Sequence, residues 1–372
     1  MGRPWSAGSP RSLFLRYLGL GLALRVGFWL AGVGSNLIAL RTFGPELGLW
    51  SRWDATHYLD IAILGYQRHG PAASWIAFLP LYPALVRLVS FFVRNFVVAA
   101  LLVSLFASAG AATMLTGLTG FDHSDQEAWH AGIFLYAFPT AYFLALPYSE
   151  SVFLFVVLAA LYSARTKRWV LAGTFGALAT ASRLVGVAIL PALAVEALWM
   201  YEPTRERIRR LAAISVAGLG FLAYLAVNLH VYGNAFHFLH AERVRWHQHF
   251  VPPWVPVAQA VGELIHPTLS GTWYWFIYPA NLVAVGAAVV LLLKGRRFLL
   301  ASDQVFGWTV LVLSMCESRL ISLPRYLLTV YPLFIVLGCI VKRRTIFFAL
   351  VTGGIAIQVV LFARYTMSIW AF

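Results

Sequence analysis

The chain has 372 residues, of which 60% are hydrophobic and only 11% charged, with a mean hydropathy of +0.76. A soluble domain carries about 25% charged residues, so this composition excludes a soluble enzyme. It predicts an all-α, integral-membrane helical bundle over 1–372 as a single domain, because lipid offers no partners to unpaired backbone groups. The net charge of +14 does not point to nucleic acid, because the basic residues fall in short clusters between apolar runs, where they orient helices and touch anionic membrane lipids. Cys316 and Cys339 lie in apolar segments without CxxC or Cys/His spacing, which argues against a disulfide framework or a structural zinc.

In chain order, the first apolar run extends from Leu13 to Leu40, too long for a signal-peptide core, and is read as a retained first span. Further runs fall near 97–119, 129–147, 149–164, 211–231, 273–293, 305–323, 326–341 and 345–364. The stretch 169–200 is short for two crossings; Gly173, Gly176 and Gly186 allow close packing or kinking there. Five basic clusters punctuate the runs: Arg3/Arg11/Arg16, Arg165–Arg168, Arg205–Arg210, Lys294–Arg297 and Lys342–Arg344. Excess Lys and Arg marks the cytoplasmic side, so an even number of crossings must separate any two clusters. That rule is met with eleven spans if Ile76 to Val93, with Pro80, Pro83 and Arg87, lies as a helix in the outer interface. Two substantial outer loops remain, one from Arg41 onward and one over 232–272.

The first outer loop places Arg52, Asp54, His57 and Asp60 within nine residues of one another. On a helix, Asp54 and His57 share a face, and a carboxylate beside an imidazole suits proton abstraction from a hydroxyl. Glu150, Arg183, Glu317, Arg319, Arg325 and Tyr326 are expected on the same side of the membrane, together with the polar segment 232–246. Charges at membrane depth are expensive and are functional candidates by default; Glu317 and Arg319 can equally serve to hold the bundle together. One carboxylate with several arginines suggests transfer from a phosphate, since arginines hold the phosphate and stabilise charge growing on it. The absence of a Gly-rich phosphate loop, a Ser/His/Asp elbow or an HExxH motif weighs against ATP-driven and hydrolytic chemistry. A transporter or lipid flippase is the rival from another class, although a transporter favours a midplane site.

The run Arg52-Trp-Asp-Ala-Thr-His-Tyr, then Gly65-Tyr66, then Ala77-Phe-Leu-Pro-Leu-Tyr-Pro83 closely resembles the GPI mannosyltransferase II family, within the C-type glycosyltransferase superfamily. Pro147-Tyr-Ser-Glu-Ser151, Ser182-Arg-Leu-Val-Gly186, Tyr232-Gly233 and Pro324-Arg-Tyr-Leu-Leu328 are similar as well. The resemblance implies a glycosyltransferase, with a polyprenyl- or dolichyl-phosphate sugar as donor, typically mannose, and a glycolipid or glycan acceptor. It implies importance for Trp53 and Asp54. Together with the residue chemistry it makes Asp54 the base and His57 its catalytic support. Arg183 and Arg325 are the expected phosphate contacts, with Arg52, Trp53, Glu150 and Tyr326 completing the substrate-binding set. No metal or other cofactor is required. The lean loops resemble prokaryotic relatives, so a bacterial or archaeal plasma membrane with the site facing outward is expected. Another lipid-phosphate sugar is the alternative donor.

Overall fold

A computed structural model describes residues 9–38, 46–199, 203–268, 271 and 273–372. Arg3 of the first basic cluster, Arg41 at the start of the first loop and Thr272 at the end of the second lie outside them. Among the described residues there is no strand, only helices. Among the described residues, five helical segments are long and apolar enough to cross a membrane: α1 (Pro10–Ile38), α4 (Phe96–Thr119), the continuous pair α9 (Thr204–Ser215) and α10 (Leu219–Tyr232), Trp275–Gly295 containing α13 (Tyr278–Gly295), and α17 (Arg344–Thr366). The shorter helices are α2 (Asp54–Leu64), α3 (Leu81–Val93), α5 (Asp125–Ala137), α6 (Glu150–Arg165), α7 (Trp169–Thr180) and α8 (Ile189–Trp199). They continue with α11 (His237–Ala241), α12 (Trp254–Ile265), α14 (Ala301–Ser314), α15 (Leu323–Leu327) and α16 (Pro332–Ile340).

Local chemistry sets the boundaries. Asn95 caps α4 by accepting the Val98 amide at 3.0 Å, and Ser124 with Glu127 forms a capping box on α5. The run expected over 129–147 is α-helical only to Ala137, because Phe138 turns extended ahead of Pro139, and a short 3-10 turn follows at Ala141–Leu144. The 305–323 run likewise stops at Ser314, leaving an irregular stretch before α15. The segment 76–93 divides into a short 3-10 turn, Pro71–Ala77, and α3, which meet at 111° around Pro80.

Helices α4 and α6 form the centre of the bundle, with α1, α3, α5 and α7 packed around them. α1 buries one stripe, Leu13, Tyr17, Gly21, Phe28, Gly32 and Asn36, at helical spacing. Its opposite face exposes Leu15, Leu22, Val26 and Leu30, as a lipid-facing helix must. Close approach explains two glycines: a Cβ on Gly173 would overlap the Ala213 carbonyl oxygen, and one on Gly220 the Ala177 carbonyl oxygen. α7 therefore packs backbone to backbone against α9–α10.

Buried charge collects at both ends of the bundle. At one end Arg165 donates to Glu196 (2.9 Å) and Asp303 (2.6 Å), Tyr331 donates to Asp303, and Ser302 to Glu196 at 2.6 Å. Lys342 meets Glu127 at the same end, and His123 reaches the Phe298 carbonyl oxygen at 2.8 Å. Glu150 opens α6 and Arg165 closes it, so the two charged ends stand roughly 24 Å apart at 1.5 Å per residue.

Candidate functional site

At the Glu150 end lies a cavity of about 450 Å³. Its walls come from α2, the bend before α3, the α7–α8 linker, the turn after α11, the stretch 314–329 and the last residues of the chain. Asp54 sits in the first turn of α2, where a carboxylate is favoured by the helix dipole. Trp53 precedes it with φ of 53°, a left-handed conformation that is costly for a residue with a Cβ. The strain is held by the backbone of Arg52. Its amide donates to the Tyr365 hydroxyl at 3.0 Å, and its carbonyl oxygen accepts from Tyr365 (3.0 Å) and Tyr148 (3.3 Å). Trp53 projects into the cavity, edge-on to Trp370 at 5.4 Å between ring centres.

The charges form one chain. Arg325 donates from Nη1 to Asp54 Oδ2 at 2.7 Å and from Nε to Glu150 Oε1 at 2.5 Å. Arg183 donates from Nη1 to the same Glu150 oxygen at 2.8 Å and to Ser149 at 3.0 Å. Glu150 is fully buried and lies behind the cavity wall, whereas Arg183 and Arg325 line it. Glu150 thus holds two guanidiniums side by side against their mutual repulsion, and Ser149, itself bonded to Tyr58 at 2.8 Å, fixes Arg183 from below. Arg325 also lies over the rings of Tyr148 (4.5 Å) and Phe143 (4.8 Å), and Arg183 over that of Tyr326 (5.8 Å). Asp54 keeps 26% of its side-chain surface accessible. It is a buttressed carboxylate open to a cavity.

His57 lines the cavity one turn from Asp54, its ring stacked on Trp75 at 3.8 Å between centres. Burial lowers the His57 pKa, more than Asp54 raises it, so its imidazole is neutral at neutral pH. Trp75 is tied in turn to Asp60 at 3.2 Å. Of the residues singled out in the sequence, Trp53, Asp54, His57, Arg183, Arg325 and Tyr326 share the cavity; Glu150 lies behind it, and Arg52 contributes its backbone bonds to the cavity rim. Glu317, expected on the same side of the membrane as Asp54, also lines the cavity, and two further cavity residues, Glu242 and Arg245, were legible only as members of a polar stretch. Glu317 accepts from the Tyr326 hydroxyl at 3.5 Å. Glu242 is pushed up to about 8, by burial first and by Glu317 and Asp54 next, so it is a protonated donor at neutral pH. The His123, Glu127 and Cys339 ligand atoms lie within 4.8 Å of one another at the opposite end. Glu127 is occupied there by Ser124 and Lys342, and His123 by Phe298.

The sequence pattern of one family, described as Mannosyltransferase (PIG-V), matches residues 41–254. The chain belongs to the PIG-V mannosyltransferase family. The match takes in α2 with Asp54, the bend before α3, Arg183 and Glu242, that is, most of the cavity wall, and Glu150 behind it. Family membership and the apolar helices make the protein a membrane glycosyltransferase of the mannosyltransferase class. No curated protein matches the chain.

Proposed function

We propose that the cavity is the active site of an inverting mannosyltransferase that uses a polyprenyl-phosphate sugar and glycosylates a lipid-linked or glycan acceptor. The observation that carries this reading is the Asp54–Arg325–Glu150–Arg183 chain, which sets one accessible carboxylate beside two guanidiniums at a cavity edge. A single phosphate matches that pair of planar donors, and no metal is needed to balance its charge. In this scheme the donor phosphate competes with Asp54 for Arg325, so donor binding frees the carboxylate. Asp54 takes the proton of the acceptor hydroxyl, and the oxygen bonds to the anomeric carbon. The bond from that carbon to the phosphate oxygen breaks, and its electron pair leaves with the lipid phosphate, stabilised by Arg183 and Arg325. Neutral His57 and protonated Glu242 contribute hydrogen bonds to sugar hydroxyls, and Trp53 packs against sugar or lipid.

The topology belongs to the same proposal. α1, α4, α5, α6, α7, α8, α9–α10, α13, α14, α16 and α17 supply eleven crossings, and α3 lies in the outer interface. The contacts are consistent with this count, since Arg165, Lys342 and the Phe298 turn meet residues of their own end, while Asp54, Glu150, Arg183 and Arg325 meet at the other. The roughly 24 Å between the ends is near the ~30 Å hydrocarbon thickness. The basic end is cytoplasmic and the site faces outward, on a bacterial or archaeal plasma membrane. Nucleotide sugars are made on the wrong side for such a site, whereas a lipid carrier presents its sugar at the interface. The deciding experiment offers GDP-mannose and polyprenyl-phosphate mannose separately to the purified protein in liposomes. Transfer from the lipid donor alone is expected; transfer from GDP-mannose in liposomes free of polyprenyl phosphate overturns the donor assignment.

A further inference from the structure

A second cavity, of about 350 Å³, opens at the basic end of the molecule. Lys167, Arg168, Arg209 and Arg210 line it, against one carboxylate, Glu206. These cations come from two clusters about forty residues apart in sequence. They meet because α7 packs on α9 through the Gly173–Ala213 contact. Three observations distinguish the cavity from an ordinary solvated basic face. First, α7 begins inside it: Arg168 is the cap residue, no side chain caps the helix, and Trp169, Val170 and Leu171 all line the cavity. The first-turn amides of α7, with the positive end of its dipole, are therefore directed at whatever occupies the space. Second, Arg210 is only 2% exposed, with its guanidinium 5.2 Å from the centre of the Trp169 ring and 3.8 Å from Glu206. A cation at that depth is a built element of the cavity wall. Third, the rim is apolar where a surface charge cluster would be polar: Val170 is 73% exposed and Leu171 43%, and both line the cavity.

From these we infer that the cavity binds the phosphate headgroup of an anionic phospholipid, whose acyl chains run over Val170 and Leu171. The charge balance at the cavity, four cations against one anion, selects an anionic headgroup over a zwitterionic one. The apolar rim selects a phospholipid over free phosphate. The site is separate from the sugar-transfer cavity and does not depend on the reading of that cavity.

The test compares the purified full-length protein in nanodiscs containing phosphatidylcholine and phosphatidylglycerol in equal parts, followed by native mass spectrometry of retained lipid. Wild type is expected to retain phosphatidylglycerol preferentially. The double variant Arg168→Ala/Arg209→Ala should lose about ten-fold or more of that preference, whereas Arg343→Ala/Arg344→Ala, in another exposed basic cluster, should keep it. Added inorganic phosphate should not displace the lipid. Equal retention of both lipids by wild type, equal loss in the two double variants, or displacement by inorganic phosphate each overturns the proposal. A photoreactive phosphatidylglycerol on the wild-type protein gives a measurement that needs no variant. Labelling confined to peptides 167–171 and 206–213 supports the site, and labelling elsewhere only overturns it.

Discussion

At the scale of the residue, the site is governed by one buried carboxylate acting on two arginines. Glu150 Oε1 accepts from both Arg325 and Arg183, and this shared partner lets two guanidiniums stand together in a low-dielectric setting. Asp54 accepts from Nη1 of Arg325. If Asp54 is the base, Asp54→Asn removes proton acceptance while nearly preserving shape. Turnover should then fall by about 10²–10⁴-fold with an unchanged melting temperature in detergent; near-normal turnover would exclude Asp54 as base. Arg325→Lys keeps the charge but cannot span Asp54 and Glu150 with a planar fork. Its activity with the lipid donor should drop about 10²-fold, with the loss mainly in kcat. Full activity in both Arg325→Lys and Arg325→Ala would remove Arg325 from the chemistry.

At the scale of the element, the short helices and turns are what aim these groups. Glu242 lies in the turn of 242–246 that follows α11, inside the cavity wall. Its pKa is raised to about 8 by burial, so the folded state binds its proton more tightly than the unfolded chain does. A raised acid contributes stability that is fully present below its unfolded value and is lost as pH rises through the folded one. Thermal stability should therefore decline between about pH 5 and 8 and level off above, and Glu242→Gln should flatten that decline. A wild-type profile without it, or an equally steep variant, would refute the assignment. The α7–α9 contact gives a second prediction. Gly173→Leu forces a side chain into the Ala213 carbonyl and should destabilise by about 1–3 kcal/mol or more through overpacking. Gly262, with open space around its Cβ position, is the control, and an equal thermal shift for Gly262→Leu would show that packing is not the cause.

At the scale of the whole molecule, the bundle keeps two sets of buried charge apart at opposite ends, joined by α6. If the Arg165 end is cytoplasmic, single cysteines at His69 and His249 should react with an impermeant thiol reagent in intact cells. Cysteines at Arg297 and Arg343 should react only after permeabilisation. All four positions are exposed, and Cys316 and Cys339 must first be replaced. Protection of both outer positions in intact cells would break the crossing count.

What the amino-acid sequence determined by itself was the membrane-helical class, nearly every apolar run, the family and the short-range unit around Asp54. Each of these depends on local composition or spacing: hydropathy over about twenty residues, or Trp53, Asp54 and His57 one helical turn apart. What only the tertiary structure decided was partnership across the chain. Asp54 and Arg325 are separated by 271 positions, and Glu150 and Arg325 by 175, so no local pattern states that one carboxylate buttresses two arginines. Nor could spacing reveal that Glu242 and Glu317 line the Asp54 cavity, or that Phe138 and Met315 end helices which hydropathy alone would have carried further. Lipid rewards any sufficiently apolar helix regardless of its neighbours, so sequence reports the apolar helices. Desolvated charges reward only the partner that packing brings within hydrogen-bond reach, so the site is written in the fold.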